Sequence, residues 1–355
     1  MDSKQRVYMN QGQGETSYAR NSSIQSAQQN RMKSLVEAAI VGLCSNPNTL
    51  LSGKMAIADL GCSSGPNALA LVSIAVEAIH NHFLQFQQPP PEVCVLLNDL
   101  PDNDFNVVVK NLVALQQTNE PVCVTGIVPG SFYERLFPSG SLHLVCSSNS
   151  LQWLSKVGKL NHISAYDFDE HIRRERLPVV AAAYARQFRK DFTRFLKLRA
   201  KELVPEGQMV VSLVGRRSDK LATEISYVWG TAAQILGVMA SEGMIDKKKF
   251  DSFYIPAYGP SAKELRVIIE EEGSFSITEM QAHDYATGMD RALLTPNRIA
   301  NTLRAIFEPI IVQHFGEIMD EFVRTGEKHL SLQRSSQVEG TEDPIVMVLV
   351  SLAKA

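Results

Sequence analysis

The stretch "ADLGCSSGPNALALV", residues 58–72, decides the fold. An apolar strand ends at Asp59, a glycine-containing turn follows, and a helix rich in Ala, Leu and Val begins near Pro66. In open α/β sheets, such a turn lies at the carboxyl end of a strand, where nucleotide-like ligands bind against a helix N-terminus. The stretch therefore predicts a ligand site at this edge of a sheet, with an ordinary strand-turn-helix corner as the alternative.

The turn also limits the chemistry of the ligand. A dinucleotide-binding turn requires G-x-G-x-x-G, but position 63 is Ser, and a phosphate loop requires Lys after its second glycine, where Gly65 is followed by Pro66. Both mismatches weaken a phosphate site. A second acid, Asp99, ends the next predicted strand. Because a carboxylate accepts hydrogen bonds from ribose hydroxyls, Asp59 and Asp99 favour an adenosyl ligand without a pyrophosphate.

Short apolar runs alternate with longer segments of helical period along the chain. We predict strands at 55–61, 92–99, 121–128, 141–147, 208–214 and 345–353, and long helices at 176–203, 220–243 and 297–324. This alternation predicts an α/β fold with a mostly parallel, doubly wound sheet. The expected organisation is an α/β domain with an N-terminal substrate segment over 1–219, a mainly helical cap over 220–325, and a return to the sheet over 326–355.

Composition excludes several classes of partner. With 355 residues, 45% of them hydrophobic, the chain can bury a sizeable core, and its net charge of −3 offers no basic field for nucleic acid or a membrane surface. The five cysteines contain no C-x-x-C pair, which argues against a disulfide framework and a zinc site. The longest apolar stretches are shorter than the roughly 18–20 residues that span a bilayer. We expect a cytoplasmic protein without a signal peptide.

Two polar segments are candidates for binding a second ligand. Tyr18, Ser22 and Gln25 have the i, i+4, i+7 spacing of one helix face, which is also typical of a solvated face. In "SSNSLQWLS" (147–155), hydroxyls and amides flank Trp153. An indole N–H only donates and a Gln amide offers two donors, so Gln25 and Trp153 could hold a carboxylate without an opposing charge. The alternative for Trp153 is a core residue with a satisfied N–H.

Six motifs in order make the chain similar to one family, the plant SABATH methyltransferases. These motifs are "NQGQGETSYARNSSIQ", "ADLGCSSGPNALALV", "LLNDLPDNDFN", "PGSFYERLFP", "SSNSLQWLS" and "FRKDFTRFLKLRAKELVPEGQMVVSLVGRRS". Members transfer a methyl group from S-adenosylmethionine to small carboxylic acids or, in a few cases, to a ring nitrogen of xanthine alkaloids. The resemblance covers nearly the whole chain and implies a Rossmann-like methyltransferase fold and a homodimer.

The resemblance also implies roles for individual residues. The cofactor is expected against Tyr18, Asp59, Gly61, Cys62, Asn67, Asp99, Leu100, Ser131 and Phe132, with Asp99 at the ribose and Ser131 and Phe132 at the adenine. The acceptor acid is expected against Gln25, Asn149, Gln152, Trp153 and Trp229. Of these, Gln25 and Trp153 would position the acid for catalysis.

This sequence departs from the family pattern at three places. Position 10 is Asn, where some salicylate-type relatives carry Lys, and position 149 is Asn, where an aromatic residue is frequent. Several relatives bind magnesium through an Asp, a backbone oxygen and an Asn, but the matching stretch here is "DSFY", with Tyr254 in place of the Asn. Magnesium at Asp251 and the Phe253 carbonyl is therefore only weakly implied.

The mechanism expected from the resemblance needs no general base. A carboxylic acid with a pKa of about 4 is already ionised at pH 7, so the protein has to desolvate and align its oxygen for in-line displacement at the methyl carbon. The expected product is a methyl ester of an aromatic acid, indole-3-acetate or jasmonate. The alternatives are N-methylation of xanthine alkaloids, a non-catalytic binding protein for small acids, and a nicotinamide-dependent oxidoreductase.

Overall fold

The structure is a computed structural model that describes residues 7–48, 53–116, 122–156, 170–219, 221–336 and 345–355. Seven strands within these ranges form one sheet: β1 (Lys54–Leu60), β2 (Glu92–Asp99), β3 (Cys123–Pro129), β4 (Leu142–Ser148), β5 (Leu203–Arg216), β6 (Phe275–Asp284) and β7 (Ile345–Lys354). Their order in the sheet is β3-β2-β1-β4-β5-β7-β6. Strands β1 to β5 are parallel, and β7 is antiparallel to both β5 and β6. The predicted mostly parallel, doubly wound sheet is confirmed.

The helices lie between and beyond these strands. They are α1 (Tyr18–Asn21), α2 (Ser23–Asn30), α3 (Lys33–Ser45), α4 (Ala70–Gln85), α5 (Phe105–Gln116), α6 (Glu170–Glu202), α7 (Leu221–Ser241), α8 (Lys247–Ser252), α9 (Ala262–Glu272), α10 (Pro296–Phe315) and α11 (Met319–Ser336). Short 3-10 helices occupy Pro66–Leu69 and Arg291–Leu294. Among the described helices, none is both long and apolar enough to cross a membrane.

The central strands are apolar because both of their faces are covered. In β1, Ile57 packs with residues of α3, α4 and α5, whereas its neighbour Ala58 packs with residues of α6 and α9 on the opposite face. Successive side chains of a strand point to opposite faces, so a strand buried on both sides needs a continuous apolar run. A third apolar cluster joins α7, α8, α10 and α11 beside the sheet, and Trp153 packs against it.

Three sequence expectations differ from the structure in detail. Helix α6 begins eight residues before Pro178, which it accommodates in its interior. The helix expected at 297–324 is two helices, because the chain turns at Gly316, which has a φ of 90°. The range 220–325 also contains β6, an edge strand that its polar composition concealed. The division into a sheet domain and a helical cap stays a prediction.

The strand order places the predicted ligand site. Strand β1 lies between β2 and β4, so the connections after β1 and β4 leave the sheet in opposite directions. A crevice opens where the order reverses, outside the carboxyl ends of these strands. Asp59, Asp99 and the segment after Ser148 all lie at this edge of the sheet.

Candidate active site

The turn after β1 is held by the neighbouring strand. Gly61 has a φ of 77°, in the left-handed region that favours glycine. The N–H groups of Gly61 and Cys62 both donate to the carbonyl of Asn98, at 2.9 and 3.0 Å. The buried Asn98 amide then donates to the carbonyls of Val128 and Gly130, at 2.7 and 2.9 Å. Asn98, which the sequence analysis missed, therefore joins the ends of β1, β2 and β3.

Asp99 completes the turn with its side chain. Its two carboxylate oxygens accept hydrogen bonds from the N–H of Ser63 at 2.6 Å and from the N–H of Leu100 at 2.7 Å. Burial raises the pKa of Asp99 to about 6, although these two backbone N–H groups oppose the shift. Each oxygen keeps a second acceptor site, so the carboxylate is able to bind two further donors such as vicinal hydroxyls.

Asp59 is the second acid of this corner and is almost completely buried. Its Oδ1 has no hydrogen-bond partner within the described structure. Burial, reinforced by the charge of Asp99, raises the pKa of Asp59 to about 8. A buried, unpaired carboxyl oxygen is unfavourable unless a ligand completes it. A ligand with a positive charge and hydroxyl donors, as S-adenosylmethionine has, fits these two acids.

The N-terminal segment closes over this corner. Tyr18, Ser22 and Gln25 are all buried, so the polar stripe predicted from their spacing is an interior face and not a solvated one. Burial, with the negative charge of Asp99 among the further causes, raises the pKa of Tyr18 well above its ordinary value, which keeps its hydroxyl protonated. The Asn67 amide donates to the carbonyl and the hydroxyl of Ser22, at 2.9 and 3.0 Å. In this structure Asn67 thus fastens the segment to the turn.

The loop after β3 brings Ser131 and Phe132 to the same turn. A Cβ atom added to Gly61 would lie 3.5 Å from the Phe132 ring, which shows how closely the loop approaches. The Phe132 ring also packs edge-on against Tyr133, with 4.7 Å between ring centroids. The cofactor residues predicted from Tyr18 to Phe132 therefore lie on connected segments around one corner.

The segment 147–155, which we call the acceptor loop, is tied directly to that corner. The Ser147 hydroxyl donates to the carbonyl of Leu60 at 2.9 Å, and the Ser150 hydroxyl donates to the carbonyl of Gly61 at 3.0 Å. Added to Gly61, a Cβ would lie 2.5 Å from the Ser150 Cβ and even closer to its hydroxyl oxygen. Gly61 is therefore required both for its backbone angle and for this close approach.

The amides of the acceptor loop have fixed orientations. Gln152 is buried, and its Nε2 donates to the carbonyl of Asn149 at 2.6 Å. Because a carbonyl only accepts, this contact requires the nitrogen there and leaves Gln152 Oε1 as an acceptor without a partner in the described structure. The amide oxygens of Asn149 and Gln25 are likewise buried without a partner. Asn149 itself has a φ of 53°, a conformation in which Asn is enriched.

Trp153 lies between the loop and the helices outside the sheet. Its backbone forms a bridge with Ala257, and the next N–H, that of Leu154, donates to the carbonyl of Pro256 at 2.8 Å. The indole packs against Phe307 of α10, with ring centroids 6.0 Å apart. The Tyr133 hydroxyl donates to the Trp153 carbonyl at 2.7 Å. Trp153 is thus partly buried at a junction of three elements.

A buried arginine holds the segment that Trp153 meets. Arg216 Nη1 donates to the Tyr258 hydroxyl at 2.9 Å and to the Gly259 carbonyl at 2.6 Å, and its Nη2 donates to Glu264 at 2.8 Å. The N–H of Tyr258 in turn donates to the Gln152 carbonyl at 2.9 Å. Sequence analysis did not find Arg216 because its partners lie more than 40 residues away.

The three remaining predicted site residues are Trp229, Asp251 and Phe253. The side chain of Trp229 in α7 lies outside the described part of the chain. Asp251 lies in α8, and Phe253 packs beside His314 and Phe315. The described residues contain no group of three His, Cys, Asp or Glu side chains able to hold a metal ion. Because magnesium keeps several water ligands and needs only one or two carboxylates from a protein, the site at Asp251 and the Phe253 carbonyl stays a prediction.

The sequence of the whole chain matches one family. The model of the family described as "SAM dependent carboxyl methyltransferase" covers residues 4–355. The chain belongs to this family. It is 40% identical to jasmonate O-methyltransferase of Arabidopsis thaliana over 354 residues, 89% of this chain and 90% of that one. It is 38% identical to salicylate carboxymethyltransferase of Clarkia breweri over 364 residues, 100% of this chain and 99% of that one.

A solved structure shows the same architecture. Loganic acid methyltransferase with SAH has a TM-score of 0.82 to this carboxyl methyltransferase at 29% sequence identity, and the match covers 98% of each chain. The Rossmann-like methyltransferase fold and dependence on S-adenosylmethionine are thereby confirmed. The expected oxidoreductase alternative is wrong, because the family and this structural neighbour are methyltransferases.

Proposed function

We propose that this carboxyl methyltransferase esterifies a small plant acid, with the cofactor at Asp59 and Asp99 and the acid against the acceptor loop. The observation that carries the proposal is the contact of Ser150 with Gly61, which places the loop directly beside the cofactor turn. Two reactants held on adjoining segments of one rigid edge react as though at a very high local concentration. The named relatives that act on jasmonate, salicylate and loganic acid support an acid as the acceptor.

The proposed division of charge explains the chemistry. Asp59 and Asp99 lie where the cationic cofactor and its ribose would bind, and Gln25 and Trp153 offer neutral N–H donors to the carboxylate of the substrate. S-adenosylmethionine, when bound, supplies an electrophilic methyl group. The carboxylate oxygen is ionised at pH 7, so the residues of the pocket orient it and exclude water without removing a proton. The products are the methyl ester and S-adenosylhomocysteine.

The fixed orientation of Gln152 supports a finer statement about the acid. Its Oε1 is an acceptor, which repels a carboxylate and attracts a hydroxyl or N–H group. Asn149, three residues earlier in the loop, has a second buried amide oxygen without a partner in the described structure. The proposed substrate therefore carries a hydrogen-bond donor, such as a hydroxyl or an amino group, in addition to its carboxylate.

A methyl-transfer screen tests these proposals. Labelled S-adenosylmethionine is incubated with salicylate, anthranilate, benzoate, indole-3-acetate, jasmonate and xanthines, and the methyl esters are counted. Esters from acids with a donor group, at rates above those of benzoate, are expected. Methylation of xanthines alone would replace carboxyl transfer by N-methylation, and acid binding without any turnover would identify a non-catalytic binding protein.

Three expectations from the sequence analysis are kept as proposals with separate tests. All five cysteines are unpaired, which supports a reducing compartment such as the cytoplasm. Sedimentation of the purified protein tests the proposed homodimer. Activity after dialysis against a chelator tests the proposed magnesium at Asp251 and the Phe253 carbonyl, and a loss that added magnesium restores is the result that this proposal expects.

A further inference from the structure

The loop between β3 and β4 is held both by its own hydrogen bonds, such as that from the Glu134 N–H to the Ser131 carbonyl, and by helix α6. Three charged side chains of α6 bind its backbone. Arg199 donates from Nη1 to the Phe132 carbonyl at 3.1 Å and from Nη2 to the Glu134 carbonyl at 3.0 Å. Arg194 Nε donates to the Tyr133 carbonyl at 2.6 Å.

Glu202 is the third of these side chains, and with Arg194 and Arg199 it forms what we call the clamp. Glu202 Oε1 accepts the N–H groups of Leu136 and Phe137, at 2.8 and 3.1 Å, and also a hydrogen bond from Arg199 Nη2 at 3.1 Å. The side chains of Arg199 and Glu202 are both fully buried. A buried charge is tolerated only when it is paired and hydrogen-bonded. Beyond the pair itself, the partners of Arg199 and Glu202 are backbone groups of this loop and the side chain of Arg135, a residue of the same loop, whose Nε lies 3.4 Å from Glu202 Oε1.

The clamp reaches the proposed cofactor site through Phe132. The Arg199 guanidinium lies 5.3 Å from the centroid of the Phe195 ring, and that ring packs edge-on against Phe132 at 6.2 Å. Phe132 in turn lies against the Gly61 turn. The planar guanidinium is suited to this task, because it binds two carbonyls and a carboxylate at fixed angles, whereas an ammonium group on a flexible stem does not.

We propose that Arg199 and Glu202 are positioning residues that set the affinity for the adenosyl cofactor by holding residues 131–137 in their binding shape. The proposal rests on the proposed placement of the cofactor at Ser131 and Phe132. Arg199 and Glu202 themselves touch neither reactant. They act by limiting the conformations that Phe132 reaches, so they determine binding of the cofactor and leave the reacting groups unchanged.

A matched pair of variants separates this role from general stability. Arg199→Lys keeps the charge and removes the fork that binds Phe132 and Glu134. Arg216→Lys makes the same change at an arginine that is equally buried and also paired with a glutamate, but holds the acceptor side through Tyr258 and Gly259. For both variants, calorimetry measures the affinity for S-adenosylhomocysteine. Steady-state kinetics are measured with an acid that the wild-type protein methylates.

Opposite effects on the two ligands are expected. Arg199→Lys should weaken S-adenosylhomocysteine about tenfold or more and leave the KM of the acid and the kcat at saturating cofactor within about twofold to threefold. Arg216→Lys should raise the KM of the acid and spare cofactor affinity. Equal losses in both variants, or unchanged cofactor affinity in folded Arg199→Lys, would overturn the proposal.

The test stays decisive where Arg199→Lys does not fold. Arg194→Met removes one tie to the same loop from the exposed side of α6, and a cofactor affinity weakened about threefold is then expected, since one hydrogen bond is lost. Unchanged affinity in Arg194→Met would count against the clamp. If the wild-type protein itself does not bind S-adenosylhomocysteine, the proposed function fails first, which is a distinguishable result.

Discussion

Two regions of the candidate site differ in how their shapes are fixed. The cofactor corner comprises Asp59, the turn at residues 61–65 and Asp99, and the acceptor loop comprises residues 147–155. In the corner, the side chain of Asp99 binds backbone groups at positions 63 and 100, and the bonds between the turn and the end of β2 span fewer than 40 residues. In the acceptor loop, Trp153 meets residue 257 and Phe307, more than 100 residues away. The corner is therefore defined by contiguous sequence, whereas the loop acquires its shape only when the whole chain is folded.

The two regions also differ in charge. The corner contains the buried Asp59 and the half-buried Asp99, both with raised pKa values, and the acceptor loop consists of neutral side chains between Ser147 and Ser155. Under the proposed function, the cationic cofactor would meet carboxyl groups, whereas the anionic substrate would meet neutral side chains. An acid held only by neutral donors keeps an oxygen that is free of an ion pair, which suits attack on a methyl group.

Replacement of Gly61 should have the largest effect, because this residue belongs to both regions. In Gly61→Ala, the added Cβ overlaps the side chain of Ser150. The alanine is also strained, because position 61 has a left-handed φ. A loss of stability of about 1–3 kcal/mol and a loss of kcat/KM of about a hundredfold or more are expected. Thermal unfolding measures the loss of stability, and methyl-transfer assays measure the loss of kcat/KM.

A second substitution distinguishes overlap from strain in that variant. Ser150→Gly removes the atoms that the new Cβ meets, so Gly61→Ala combined with Ser150→Gly should recover part of the lost activity. Gly140→Ala is a matched control, because Gly140 also has a positive φ but an added Cβ would meet nothing within 4 Å. If Gly140→Ala reduced activity as much as Gly61→Ala, strain alone would explain the loss.

Asp99→Ala tests the cofactor side alone. The substitution removes the acceptor for ribose hydroxyls together with the bonds to Ser63 and Leu100, so affinity for S-adenosylhomocysteine should fall by about 1.5–3 kcal/mol. Calorimetry measures this change. Glu92→Ala, at the exposed start of the same strand, should leave the affinity as it was. Wild-type affinity in Asp99→Ala would remove Asp99 from the site.

The same contrast decides what the sequence could predict. The mostly parallel sheet and the corner from Asp59 to Asp99 follow from apolar runs and a contiguous turn, and the structure brings these residues together as expected. Asn98, Arg199 and Arg216 were missed because nothing in the sequence next to them marks them, and their partners include backbone groups of distant loops. The edge strand β6 was missed because one-sided burial leaves it half polar.

Trp153→Phe tests the acceptor side alone. Phe keeps most of the ring that packs on Phe307 and loses the N–H, so kcat/KM for the acid should fall by about 1.5 kcal/mol, toward the weaker end for a bond to a charged group. Cofactor affinity should barely change. Gln25→Leu should act in the same direction, and the double variant should lose less than the sum. A lower Tm with unchanged kcat/KM would make Trp153 a structural residue only.

A pH dependence is also expected, and it belongs to the corner. In the ligand-free protein the pKa of Asp59 is raised from 3.8 to about 8 and that of Asp99 from 3.8 to about 6. A raised carboxyl pKa means that the folded state still binds a proton at a pH where the unfolded state has released it. Proton binding by these two carboxyl groups therefore contributes its full stability below pH 4, and this contribution is lost as the pH rises toward 8. Between pH 4 and pH 8, the Tm of the ligand-free wild-type protein should therefore fall more than the Tm of Asp59→Asn. That variant lacks the carboxyl group with the larger pKa shift.

Cofactor affinity should change in the opposite direction. A cationic ligand favours the ionised form of Asp59, so binding releases a proton, and affinity for S-adenosylmethionine should rise a few-fold, at most about tenfold, from pH 7 to pH 8. Asp59→Asn has no proton to release and should show a flatter profile. Acid affinity, measured with the cofactor saturating, should stay level because the acceptor loop holds neutral groups. Equal pH profiles for both ligands in the wild-type protein would contradict the assignment of charge to the corner and of neutral donors to the loop.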